Sequence, residues 1–135
     1  MIARVFLGLQ ALLFIPYGLY CLVQPGFLSG AAGLTATSIT GTIEIQAMYG
    51  GLQTAVGVLC ALGAMQLSLR RPALITLLFF FTGLAIPRVT LGLMYGDIGG
   101  YTLSAMILET VSAVCALYLI SREAKTDPLG RPTPA

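Results

Sequence analysis

Polar residues along this chain fall in short clusters, separated by four long and almost wholly apolar stretches. The first runs from about Ala3 to Val23 and ends at Gln24-Pro25-Gly26. The second runs from about Thr42 to Leu69, the third from Ala73 to Tyr95 and the fourth from Tyr101 to Ser121. A helix needs about 20 apolar residues to cross the hydrocarbon of a bilayer. Only a structure that satisfies its own backbone hydrogen bonds survives there, and a helix does so within one segment. The pattern therefore predicts an all-α, integral membrane four-helix bundle. It forms a single domain over residues 1–121, with a tail at 122–135.

The connections are short. The uncharged segment from Phe27 to Gly41 is rich in Gly, Ser and Thr and is expected to be a loop lying in the interface. Arg70-Arg71-Pro72 is expected to turn the chain between the second and third spans, and the run from Gly96 to Gly100 between the third and fourth. After Arg122 charge mixes with proline, and disorder is expected beyond Asp127. Pro16 and Pro87 each follow an isoleucine inside a span, and each should kink its helix by removing a hydrogen bond. No wider similarity between the two halves supports a duplication.

Composition agrees with the pattern. The chain is 57% hydrophobic and 9% charged, with seven basic and five acidic residues, and its mean hydropathy is +0.92. A soluble domain carries about 25% charged residues. The lipid bilayer is thus the expected solvent, no soluble domain remains to be built, and no basic stripe points to nucleic acid. The N-terminal run resembles a signal peptide but continues to Val23, longer than an ordinary h-region, so it is expected to be a retained helix.

Arg4, Arg70, Arg71, Arg122, Lys125 and Arg131 lie on the side of the termini and the second loop, whereas the first and third loops carry no Lys or Arg. The positive-inside rule then places both termini in the cytoplasm. Tyr17, Tyr20, Phe27, Tyr95 and Tyr101 fall near the outer boundary, as an aromatic belt would. Cys21, Cys60 and Cys115 form no CxxC pair and are expected to be small buried hydrophobes. Histidine is absent, which removes the usual zinc and haem ligands. No cofactor or metal is expected.

The candidate chemistry rests on charges inside the spans. Glu44, Arg88 and Glu109 interrupt them, and a charge in hydrocarbon costs about 2.5–3.5 kcal/mol on insertion scales. Such groups face the bundle interior and pair. Arg88 lies roughly 23 Å up the third span and Glu109 roughly 12 Å below the outer end of the fourth, at about 1.5 Å per residue. Glu44 begins the second span, so all three are expected to meet in the outer half of the bilayer. On the fourth span Thr102, Ala105, Glu109, Ser112, Ala113 and Ala116 share a small, polar face. On the third, Arg88, Gly92 and Tyr95 share a side; on the second, Gln46, Gly50, Gln53 and Gly57 form a stripe beside Tyr49.

These faces predict a polar site with Glu44, Glu109 and Arg88 as catalytic groups. Gln46, Tyr49 and Gln53 would contact substrate, with Tyr95 and Asp97 at the mouth. Two carboxylates and one guanidinium leave one negative charge over, so one Glu is expected to pair with Arg88 and the other to be held neutral. The plainer alternative is a salt bridge that only fixes helix register.

The run Glu44-Ile45-Gln46-Ala47-Met48-Tyr49-Gly50-Gly51 resembles a bacterial family of small four-span membrane proteins built on a domain of unknown function. Its members show Glu-x-Arg-x-x-Tyr-Gly-Gly at the start of the second span, an Arg in the third and a Glu in the fourth. Arg88 and Glu109 match the latter two, and the likeness covers about residues 3–121. Gln46 departs from the pattern, where Arg is common. The resemblance implies a fold and a membrane address, multi-pass in a bacterial inner (plasma) membrane, and supplies no reaction.

Three function classes fit. The first is a membrane-embedded protein that binds a lipophilic small molecule and performs cofactor-free acid–base chemistry on it, such as isomerisation or cyclisation. The second is a non-catalytic accessory subunit of a membrane complex. The third is a proton-coupled transporter working as a homo-oligomer.

Overall fold

A computed structural model describes residues 1–96 and 98–125. Its helices are α1 (Ile2–Val23), α2 (Phe27–Ala32), α3 (Ile39–Ile45), α4 (Leu52–Met65), α5 (Leu67–Tyr95) and α6 (Gly100–Lys125). A π-helical turn, Gln46–Gly51, joins α3 to α4 without a break. Four helical segments are long and apolar enough to cross a membrane: Ile2–Val23, Ile39–Met65, Leu67–Tyr95 and Gly100–Glu123. The protein is thus an all-α, four-span membrane protein. Asp97 and the tail beyond residue 125 lie outside the described residues.

The spans pack antiparallel. α1 lies on α4, α4 on α5 and α5 on α6, while side-chain bonds tie α6 back to α1. In lipid, burying one leucine against another gains little over leaving it in hydrocarbon, so close van der Waals contact must hold the helices together. The α1–α4 seam achieves this with glycine. A Cβ on Gly57 would lie 2.7 Å from Ile15 Cγ1, and one on Gly18 would lie 2.8 Å from the Gly50 carbonyl oxygen. Neither helix could approach so closely with a larger residue there.

The core sits toward the end of the bundle that carries Met1 and Lys125. Leu7, Leu74, Leu77 and Ala116 are fully buried there, with Cys60 beside them. Phe14 and Phe81 stack at 5.6 Å between centroids and 28°, and Phe80 meets Phe14 edge-on at 5.6 Å. These three rings close off the packed half. Beyond them the helices leave a cavity.

Three boundaries differ from the sequence expectation. The second turn lies at Gln66 alone, in extended geometry (φ −112, ψ 125), so Arg70, Arg71 and Pro72 fall inside α5. Pro72 is tolerated because the carbonyl it frees belongs to Ser68, exposed in the first turn of the helix. The expected loop from Phe27 contains α2, whose Leu28 is fully buried. The second span starts three residues early, because the Ser38 side chain accepts a hydrogen bond from the Gly41 N–H at 3.1 Å and caps the helix. Pro16 and Pro87 both lie within continuous helices.

Candidate functional site

The cavity has a volume of about 480 Å³, inside the range of about 300–1,000 Å³ common for ligand sites. All four spans contribute to it. Leu13, Phe14 and Tyr17 come from α1, and Met48, Tyr49, Leu52 and Gln53 from the π turn and α4. α5 supplies Phe80, Phe81, Leu84 and Arg88; α6 supplies Tyr101, Ser104, Ala105, Leu108 and Glu109. The α6 set recurs at i, i+3, i+4, i+7 and i+8, one face of a helix. Leu13, Met48, Leu52 and Leu108 line the cavity while also being exposed on the bundle surface, so its wall is open toward lipid.

Arg88 and Glu109 meet in this space. Arg88 Nη1 donates to Glu109 Oε1 at 2.7 Å, a short charge-assisted contact. Glu109 is 5% exposed, and the Arg88 side chain 26%. The pairing follows from helix geometry: α5 and α6 run antiparallel, so two residues near the same depth can join across the seam. The second carboxylate oxygen, Glu109 Oε2, is buried with no partner, as is Gln53 Oε1. Both belong to residues that line the cavity. A buried acceptor without a partner costs about 1–3 kcal/mol; Gln10 Oε1 and Arg70 Nε, away from the cavity, are in the same state.

Two polar ties link α1 to α6. Gln10 Nε2 donates to Ser112 Oγ at 3.0 Å in the packed half. Nearer the far end, the hydroxyls of Tyr17 and Tyr101 stand 3.3 Å apart. Gln10 is thus a packing residue, as its place in an apolar span suggests.

Of the residues singled out from the sequence, the structure brings together Arg88, Glu109, Tyr49 and Gln53. It does not bring the others to the cavity. Glu44 is exposed, nine residues before Gln53 and so about 13 Å along the helix axis. The expected third charge is therefore missing from the interior: the cavity holds a neutral pair and no surplus carboxylate. Gln46 turns away, and its Nε2 donates to the Leu22 carbonyl at 2.6 Å. In a straight α-helix Gln46 and Gln53, seven residues apart, would share a face. The π turn between them adds an extra residue and shifts that register by about 100°. Tyr95 is 79% exposed at the end of α5. Asp97 lies outside the described residues.

Tyr17, Tyr101 and Ser104 line the cavity without having been singled out for it. Gln10, Phe14 and Tyr17 follow one another at helical spacing, a signal that the aromatic-belt reading of Tyr17 and Tyr101 obscured. Among the described residues no group of three His, Cys, Asp or Glu comes together as a metal site. Cys21 and Cys60 are buried and Cys115 half-buried, all three as free thiols.

No curated protein and no solved structure matches the chain. A family model does, over residues 2–120, nearly the whole chain. The chain therefore belongs to the family described as a domain of unknown function (DUF4345).

Proposed function

We propose that this protein binds a lipophilic small molecule in the cavity between its four spans, within a bacterial inner membrane and with both termini cytoplasmic. The observation that carries this reading is the largely apolar cavity among the four spans, with the Arg88–Glu109 pair and Gln53 in its lining and with Glu109 Oε2 and Gln53 Oε1 unpartnered within its wall. A protein that used Arg88 and Glu109 only to fix helix register would have no reason to keep an open space around them.

Within this reading Arg88 holds Glu109 in position through one carboxylate oxygen and leaves the other free. We assign to that free oxygen the exchange of a proton with the bound molecule. Tyr49 and Gln53 would orient its polar end. Proton transfer at one carbon or oxygen and return at another would give a cofactor-free isomerisation or cyclisation. Glu44, exposed and distant, has no part in it.

The test is retention of a ligand. The protein is extracted in mild detergent, and native mass spectrometry reads the masses that it carries. Ala105, on the cavity wall, is replaced by Trp to fill the space. The wild type should retain a small lipophilic mass that Ala105→Trp lacks, with both proteins equally helical by circular dichroism. A wild type that carries nothing beyond bulk lipid, in the same amount as Ala105→Trp, would contradict the proposal.

A further inference from the structure

The chemistry of the cavity also restricts the head group that it accepts. We infer that the ligand is a neutral aromatic alcohol, a phenol or hydroquinone on an apolar tail, rather than a carboxylate or phosphate amphiphile. This inference rests on the binding function proposed above and specifies its ligand.

Charge comes first. Arg88 would be the natural receptor for an anionic head, but Glu109 already meets it at 2.7 Å. The pair is neutral, so an anionic head would bring an uncompensated charge into an apolar site. Hydrogen bonding comes next. Four buried polar atoms among the described residues lack a partner, and the two that belong to cavity-lining residues, Glu109 Oε2 and Gln53 Oε1, are both acceptors that require donors. The Arg88 guanidinium keeps N–H groups beyond the one used by Glu109, and its side chain is partly open. A hydroxyl suits this set, since it can donate to a carboxylate oxygen and accept from a guanidinium. A carboxylate or a phosphodiester has nothing to donate.

The walls narrow the class further. The chain has six Phe and six Tyr, and half of those twelve line this one cavity: Phe14, Phe80, Phe81, Tyr17, Tyr49 and Tyr101. The three phenylalanines already pack edge-on and stacked, with centroids 5.6–5.7 Å apart. A fourth ring can join such a cluster by the same contacts. Saturated chains gain no comparable geometry. The apolar tail would leave through the wall at Leu13 and Leu108, which are both exposed and cavity-lining.

The experiment compares three amphiphiles of similar chain length: para-nonylphenol, its methyl ether para-nonylanisole, and nonanoate. The protein is placed in lipid nanodiscs and titrated calorimetrically, with empty nanodiscs subtracted. The phenol should bind at least about tenfold more tightly than either of the others, the effect of one hydrogen bond to a charged group. Gln53→Leu should weaken the phenol several-fold and leave the methyl ether unchanged. Glu109→Gln, which frees Arg88, should shift the preference toward nonanoate. Equal wild-type affinity for phenol and methyl ether, or tighter binding of nonanoate, overturns the head-group assignment while the binding site itself stands. If none of the three binds, the binding site falls and the assignment with it. Should Glu109→Gln fail to fold, the wild-type series and Gln53→Leu still decide.

Discussion

Breaking the Arg88–Glu109 pair from its two sides should give unequal results. Glu109→Gln is nearly isosteric and leaves the guanidinium without its counter-charge. A guanidinium has no neutral form within reach of ordinary pH, so it must stay charged among the spans. Arg88→Gln leaves a carboxylate, which can take up a proton. Removing one partner from a buried pair costs about 3–5 kcal/mol. Arg88 is only partly buried, with 26% of its side chain exposed, so the lower figure for a lone charge in a span, about 2.5–3.5 kcal/mol, is the better guide. Glu109→Gln should therefore destabilise by about 3 kcal/mol and Arg88→Gln by about half of that. The double variant should recover stability relative to Glu109→Gln, because no lone charge remains. Reversible unfolding in mixed micelles, titrated with dodecyl sulfate and followed by circular dichroism, measures all three. If Glu109→Gln lies within about 0.5 kcal/mol of the wild type, the level of an ordinary surface change, the pair is not buried as described. A double variant worse than either single one would refute the charge argument itself.

Three further outcomes follow from the packing and from the site. Gly57→Val should destabilise by about 1–3 kcal/mol, since its added carbons meet Ile15 at 2.7 Å, and the same unfolding titration reads it. Ser112→Ala should cost about 1–2 kcal/mol by leaving the Gln10 amide without its acceptor, whereas the double variant with Gln10→Leu should come close to the wild type. Glu44→Gln should leave both stability and ligand retention unchanged, because Glu44 is exposed and lines no part of the cavity; a loss of retained ligand in native mass spectra would return it to the site.

The sequence made the spans legible because hydrocarbon admits little else: each apolar run had to become a helix. Arg88 and Glu109 were legible for a related reason, since charges at that depth must find each other. Gln53 and Tyr49 followed from helical spacing. Gln46 did not, because nothing in Gln46–Gly51 announces a π turn, and one extra residue rotates everything before it. Glu44 was drawn toward the site by its charge alone, although its place at the start of the span allows it to remain outside. The Arg70-Arg71-Pro72 signal overran the true turn at Gln66, since a proline near a helix start frees a carbonyl that has access to water. The cavity could not be read at all. It depends on how four spans meet, and the packed half and the open half have equally apolar sequences.

The proposed function requires a ligand in the space between the spans. A crystal structure of the protein grown from a lipidic mesophase tests this most directly. Elongated non-protein density should fill the cavity, with its polar end within hydrogen-bonding distance of Glu109 Oε2 and Gln53 Oε1 and its tail leaving past Leu13 and Leu108. Side chains that close over the space, with both acceptors bonded to the protein itself and no density between the helices, would contradict it.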